Sequence, residues 1–121
     1  MTIVAKLQRM LRGRAGEDRA ATHLQQAGLT LIARNVRYRG GELDLVMQEQ
    51  GTLVFVEVRV RNSTGFGSAA ESVTRQKQQR LILAAQLFLQ QHPEHQRRAC
   101  RFDVVSITGT DLLWLKNAFS T

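Results

Sequence analysis

The chain has one cysteine, one proline, one tryptophan and one tyrosine in 121 residues. The lone cysteine, Cys100, excludes an internal disulfide framework and a cysteine-rich zinc site, and it fits a reducing, cytoplasmic setting. No apolar run approaches the roughly 20 residues that cross a bilayer, so no membrane is expected as a partner. No stretch is of low complexity, none repeats, and Pro93 is the only proline to interrupt an element. The length excludes a TIM barrel or a two-half dinucleotide-binding enzyme. The 43% of hydrophobic residues is enough for one core, and residues 1–121 read as a single domain.

Acids and lysines are scarce. Ten Asp and Glu face 17 Lys and Arg, for a net charge of +7, and only Lys6, Lys77 and Lys116 among those cations are lysines. Arginine's planar fork suits phosphate, so the skew favours a phosphate-bearing partner; an arginine-rich proteome is the other source of such a bias. The charge is also unevenly spread. Residues 1–40 carry +6, residues 41–74 carry −3, and residues 75–101 carry +5. An acidic segment between two basic blocks is the pattern expected where carboxylates hold a cation and the flanks hold a polyanion.

Periodicity gives the order helix, three strands, helix, two strands. Residues 16–27 put Ala20, Ala21, Leu24 and Ala27 on one helical face. Strands are predicted over residues 29–38, 42–47 and 53–61, with Leu43, Leu45 and Met47 sharing one face of the second. In the third, Val54, Val56, Val58 and Val60 share one face, and Leu53, Phe55, Glu57, Arg59 and Arg61 the other. A glycine-bearing loop over 62–68 leads to a helix over 72–91 with Leu81, Ala84, Ala85 and Phe88 as its stripe. Strands over 101–107 and 112–115 close the domain. A meander followed by a helical crossover implies an α/β fold, a mixed central sheet flanked by helices. Residues 1–13 form a basic amphipathic extension with several readings open: a segment lying on a membrane surface or on nucleic acid, and, favoured over these, an added helical turn packed on the domain or a loose end.

Three carboxylates stand out. Asp44 and Glu57 fall on hairpin partners, where directly opposite side chains lie about 5 Å apart. Glu57 sits within Leu-Val-Phe-Val-Glu-Val, where a carboxylate is costly unless paired or metal-bound. An ion pair with Arg59, two residues on, is its plain structural alternative. Glu17 precedes Ala20 by one turn; it either answers the dipole of a helix start or points at the sheet beside the other two. Mg²⁺ takes one or two carboxylates together with water and substrate phosphate. Lys77 lies on the buried stripe of the second helix, four residues before Leu81. It either reaches the Asp44–Glu57 site or is a solvated lysine beginning a helix.

Several stretches, in order and at consistent spacing, carry a resemblance. They are Gly16-Glu17, Gly41-Glu42-Leu43-Asp44-Leu45, Val54-Phe55-Val56-Glu57-Val58-Arg59, Val73-Thr74-Arg75-Gln76-Lys77 and Arg101-Phe102-Asp103. Together they resemble the YraN-type family of uncharacterised bacterial proteins, which in turn resembles the PD-(D/E)XK nucleases, the Holliday-junction resolvases in particular. The resemblance implies a restriction-endonuclease-like core, a dimer, and a Mg- or Mn-dependent endonuclease acting on DNA, branched DNA included. It makes Glu17 the helix acid, Asp44 the metal-bridging acid and Glu57 the second metal ligand. The superfamily's lysine position holds Arg59, which can stabilise phosphate but stays protonated and cannot act as a base. Arg37, Arg39, Arg61, Arg75 and Lys77 are the expected grip on the nucleic-acid backbone. Two other readings stay open: a nucleic-acid-binding module of the same fold that does not cut, and a protein-interaction domain with a structural ion pair. The glycines at 65 and 67 are read as a loop over the active face, because no ribose-binding acid follows them at dinucleotide-site spacing.

Overall fold

The computed structural model describes residues 2–61 and 72–120. The expected loop over 62–68 and the glycine pattern within it lie outside them. Helix α1 (Ile3–Gln26) is followed by strands β1 (Thr30–Tyr38), β2 (Gly41–Glu49) and β3 (Thr52–Arg61). Helix α2 (Arg75–Gln91) and a 3₁₀ turn (Pro93–His95) lead to β4 (Cys100–Thr108) and β5 (Asp111–Phe119). The five strands form one sheet in sequence order, antiparallel throughout except for the parallel β3–β4 pair that α2 connects.

The two helices lie on opposite faces of that sheet. Ala20, Ala21 and Leu24 of α1 pack on Leu45, Met47, Val54, Val56, Val105 and Ile107. On the other face Leu81, Ala84, Ala85 and Phe88 of α2 pack on Leu43, Val46, Leu53, Phe55, Phe102 and Val104. The valine ladder of β3 therefore faces α1, and Leu53, Phe55 and Glu57 face α2, as the alternation predicts. Strand β2 departs from its predicted alternation. Leu43 belongs to the α2 face although Leu45 and Met47 belong to the α1 face, so the side-chain alternation breaks at Asp44. Asn35, between the β1 residues paired with Leu45 and Leu43, has a φ of 52°, which accommodates the break.

The predicted boundaries of α1 are also corrected. The helix starts at Ile3, capped by the Thr2 hydroxyl, which accepts from the Ala5 N–H at 3.1 Å. Residues 3–13 thus continue the helix, and their described side chains are exposed or half-buried. Within the helix Gly16 allows close approach to the sheet: a Cβ would lie 2.5 Å from Val60 Cγ2. Gly41 plays the same part for α2, its missing Cβ leaving room for the Arg80 carbonyl. Gly41→Ala is expected to cost roughly 1–3 kcal/mol as α2 shifts off β2. Urea unfolding should show a lower midpoint at unchanged m-value.

Candidate active site

The β2–β3 turn sets the register on which the site depends. Gln50 and Gly51 both have positive φ, 48° and 91°, the conformation of a two-residue hairpin turn matched to strand twist. From that turn the ladder runs from Glu49↔Thr52 to Leu45↔Val56. One step further Asp44 and Glu57 fall opposite each other, and there the ladder stops. The Val58 N–H donates to Asp44 Oδ2 at 2.8 Å instead of to a strand carbonyl. The strands part around the carboxylates, and both side chains remain buried, at 8% and 7% exposure.

Burial dominates the electrostatics. Desolvation pushes the Asp44 carboxyl up to about 8; the neighbouring Glu57 charge adds to this, the Val58 N–H partly offsets it, and Glu17 and Glu42 contribute less. Glu57 is also raised by burial, against the opposing pull of Lys77, Arg59 and a hydrogen bond with Asp44. Ionising both buried carboxylates is therefore costly in the folded chain.

Lys77 supplies the counter-charge. The Thr74 hydroxyl caps α2 by accepting from the Lys77 N–H at 3.2 Å, which fixes the first turn. From that turn the Lys77 ammonium comes within 3.5 Å of Glu57 Oε1. The ion pair at Glu57 is therefore with Lys77 and not the one considered with Arg59. Arg59 lies on the same face of β3, half-buried, with a buried Nε that has no hydrogen-bond partner.

Glu17 stands well inside α1, so the helix-start reading of this acid falls. It is near enough to raise Asp44, and its buried Oε1 has no hydrogen-bond partner, with Arg34 Nη2 3.8 Å away. Arg34 bonds Asp18 more closely, at 2.7 Å. Among the described residues, no three His, Cys, Asp or Glu side chains converge as a metal cage. The close acids are a pair, Asp44 and Glu57, with Glu17 behind them.

An open cleft of about 490 Å³ reaches Glu57, and Asp44 is not among the residues that line it. Glu57 and Lys77 lie in it, Arg80 of α2 forms one side, and Arg37, Tyr38 and Glu42 of the β1–β2 hairpin form the other. Arg37 is exposed and 3.6 Å from Glu42, a screened contact that leaves the guanidinium accessible. The Tyr38 hydroxyl donates to Gln91 Oε1 at 3.2 Å. Arg39 is exposed at the hairpin tip, Arg75 is exposed at the start of α2, and Arg61 is half-buried at the end of β3. Two cations went unnoticed in the sequence. Arg80 was findable, because it lies one helical turn after Lys77. Arg34 was not, since its pairing with α1 depends on how that helix crosses the sheet.

The fold and site define a mixed α/β domain with a buried carboxylate pair and a lysine at the mouth of an arginine-lined cleft. A family profile described as "Uncharacterised protein family UPF0102" matches residues 16–107. The UPF0102 protein of Herminiimonas arsenicoxydans is 54% identical over 113 residues, covering 93% of this chain and 90% of its own. That of Pseudomonas putida strain GB-1 is 54% identical over 112 residues, covering 88% and 91%. One from Saccharophagus degradans is 53% identical over 108 residues, covering 89% and 92%. The chain belongs to the UPF0102 family, the YraN-type proteins its motifs resemble.

Proposed function

We propose that the chain is a metal-dependent endonuclease of the PD-(D/E)XK, resolvase-like type, hydrolysing phosphodiester bonds in DNA, branched DNA included. The observation that carries this reading is the buried Asp44–Glu57 pair with the Lys77 ammonium 3.5 Å from Glu57 Oε1, opening on an arginine-lined cleft. Two acids kept buried beside each other at such cost are a fit for a divalent cation, which would relieve the repulsion of both. Two carboxylates, with water and substrate phosphate completing the shell, is the usual Mg²⁺ arrangement, so the lack of a third convergent acid is no obstacle. A mixed sheet between two helices supports a restriction-endonuclease-like core.

In this reading Asp44 and Glu57 hold Mg²⁺ or Mn²⁺, which when bound polarises the phosphodiester and acidifies an attacking water. Asp44 is oriented by the Val58 N–H. Lys77 takes the place of the lysine missing at position 59, and its ammonium steadies charge on the phosphate. Arg59 adds a guanidinium on the same strand face, and Glu17 helps orient water from α1. Arg37 meets a backbone phosphate in the cleft, and Arg39, Arg61 and Arg75, which do not line it, extend the grip on the backbone.

The test is incubation of a plasmid and a labelled four-way junction with Mg²⁺ or Mn²⁺. Wild type should give products, and Asp44→Asn and Glu57→Gln should lose about a hundredfold or more in rate while still binding. Lys77→Met should lose about ten- to a hundredfold. Cleavage unchanged in the two acid variants would contradict the site, and wild-type rates in Lys77→Met would remove lysine from the mechanism. A second reading has one observation in its favour: Arg59 stands where the superfamily's lysine does, which suits a module that recognises junctions without cutting. It predicts no products with any of these metals, and binding that falls steeply with salt.

A further inference from the structure

The first half of α1 is a feature the carboxylate site does not use. Ile3, Val4, Leu7, Met10 and Leu11, between 49% and 75% exposed, are five of the eight large hydrophobic side chains left exposed among the described residues. Helical spacing gathers them into one stripe roughly 120° wide. The packed side of the same helix, made by Gly16, Ala20, Ala21 and Leu24, lies roughly 120° around the axis from that stripe. The stripe is thus centred on a different direction from the packed side, and the two meet at one edge, where Ala21 shares the angle of Ile3. The family match begins at residue 16, which leaves this segment outside it.

Charge decides what can cover it. No acid precedes Glu17, and cations stand at positions 6, 9, 12 and 14. By helical register positions 6, 9 and 12 fall outside the stripe, and Arg14 stands at its foot. A second copy of the chain, pairing stripe to stripe, would cover the apolar side chains and leave the cations outside the stripe with no acid to answer them. A nucleic acid would satisfy the cations and leave five apolar side chains in water. A surface that is apolar beneath and anionic above satisfies both halves of the pattern.

We propose that residues 3–14 form an amphipathic helix that lies on an anionic lipid surface, with Ile3, Val4, Leu7, Met10 and Leu11 among the acyl chains and Lys6 and Arg14 at the headgroups. The helix lies in the interface and does not span, since no helix among the described residues is long and apolar enough to cross a membrane. The anchor stands on observations separate from the carboxylate pair and holds whether or not that site cuts.

The experiment uses the full chain, freed of nucleic acid, sedimented with vesicles of phosphatidylcholine alone or containing about 30% phosphatidylglycerol. Wild type should partition onto the anionic vesicles at least about tenfold better than onto neutral ones. The double variant Leu7→Glu/Leu11→Glu should lose that binding while melting at the wild-type temperature, because both side chains are exposed in the folded chain. Lys6→Glu, which leaves the stripe intact, should weaken binding by about fivefold or more. Equal recovery from both kinds of vesicle, no binding to either, or full binding by the double variant would overturn the proposal. So would a concentration-dependent dimer in sedimentation equilibrium that Leu7→Glu/Leu11→Glu dissolves, because the stripe would then belong to a second copy.

Discussion

Asp44→Asn is expected to stabilise the protein in metal-free buffer, and to do so only above acidic pH. The Asp44 carboxyl is raised from an ordinary value of 3.8 to about 8 in the folded chain, chiefly by desolvation and then by Glu57. A raised acid holds its proton more tightly in the folded state. Its contribution to stability is therefore full below about pH 4, is lost progressively as pH rises, and is gone once pH passes about 8. Asparagine carries no such penalty and keeps an oxygen to accept the Val58 N–H. The difference between variant and wild type should be near zero at pH 4 and reach on the order of 1–3 kcal/mol by pH 8 to 9. A melting-temperature gain of several degrees should accompany it. Equal melting curves across that range would mean that the carboxylate is not held under strain.

Asp103→Ala should be the most destabilising single change at a polar residue. Asp103 is fully buried and is the acceptor for three donors. The Arg101 guanidinium lies at 3.0 Å, the Trp114 indole N–H at 2.9 Å and the Asn117 backbone N–H at 2.9 Å. The β4–β5 register shifts between Phe102 and Val104, and Asn117 on the facing strand has a φ of 52°. Its N–H is thereby lost to the ladder, and the Asp103 carboxylate takes it up. Arg101 keeps one other partner, Glu49 at 2.8 Å, but the indole and the Asn117 N–H keep none of those named here. Removing the carboxylate leaves buried donors and an under-compensated guanidinium, at a cost of about 3–5 kcal/mol. Asp103→Asn, which keeps acceptors and loses charge, should cost about half as much. Denaturant midpoints should fall in that order, and a near-neutral alanine variant would show that water replaces the carboxylate.

The two carboxylates of the site were legible because register is a local property. A two-residue turn at Gln50-Gly51 and a period of two along β2 and β3 are enough to bring Asp44 opposite Glu57. Lys77 was legible for a similar reason, because it stands on the apolar stripe of its own helix. What escaped depends on contacts between elements. The break in alternation at Asp44, which sends Leu43 to the α2 face, falls opposite Asn35, whose φ of 52° no residue pattern in β2 announces. Arg34 meets Glu17 and Asp18 only because α1 packs across that end of the sheet. The length of α1 was not legible, because the described side chains of residues 3–13 are exposed or half-buried and no core pattern marks that stretch as helix. Trp114 is half-buried against the α1-face core, its indole turned to Asp103. An aromatic residue on a strand does not disclose where its polar edge will find an acceptor.

In the proposed function the strained Asp44–Glu57 pair is a site for a divalent cation. The most direct measurement is the melting temperature of wild type and Asp44→Asn in a Mn²⁺ titration at pH 8. Ligand binding to the folded state stabilises it by about 2.7 kcal/mol at a hundred times the dissociation constant. Wild type should therefore rise by several degrees and saturate, while Asp44→Asn, already stabilised without metal, should stay flat. Equal responses from the two proteins, or none from wild type at millimolar Mn²⁺, would contradict it.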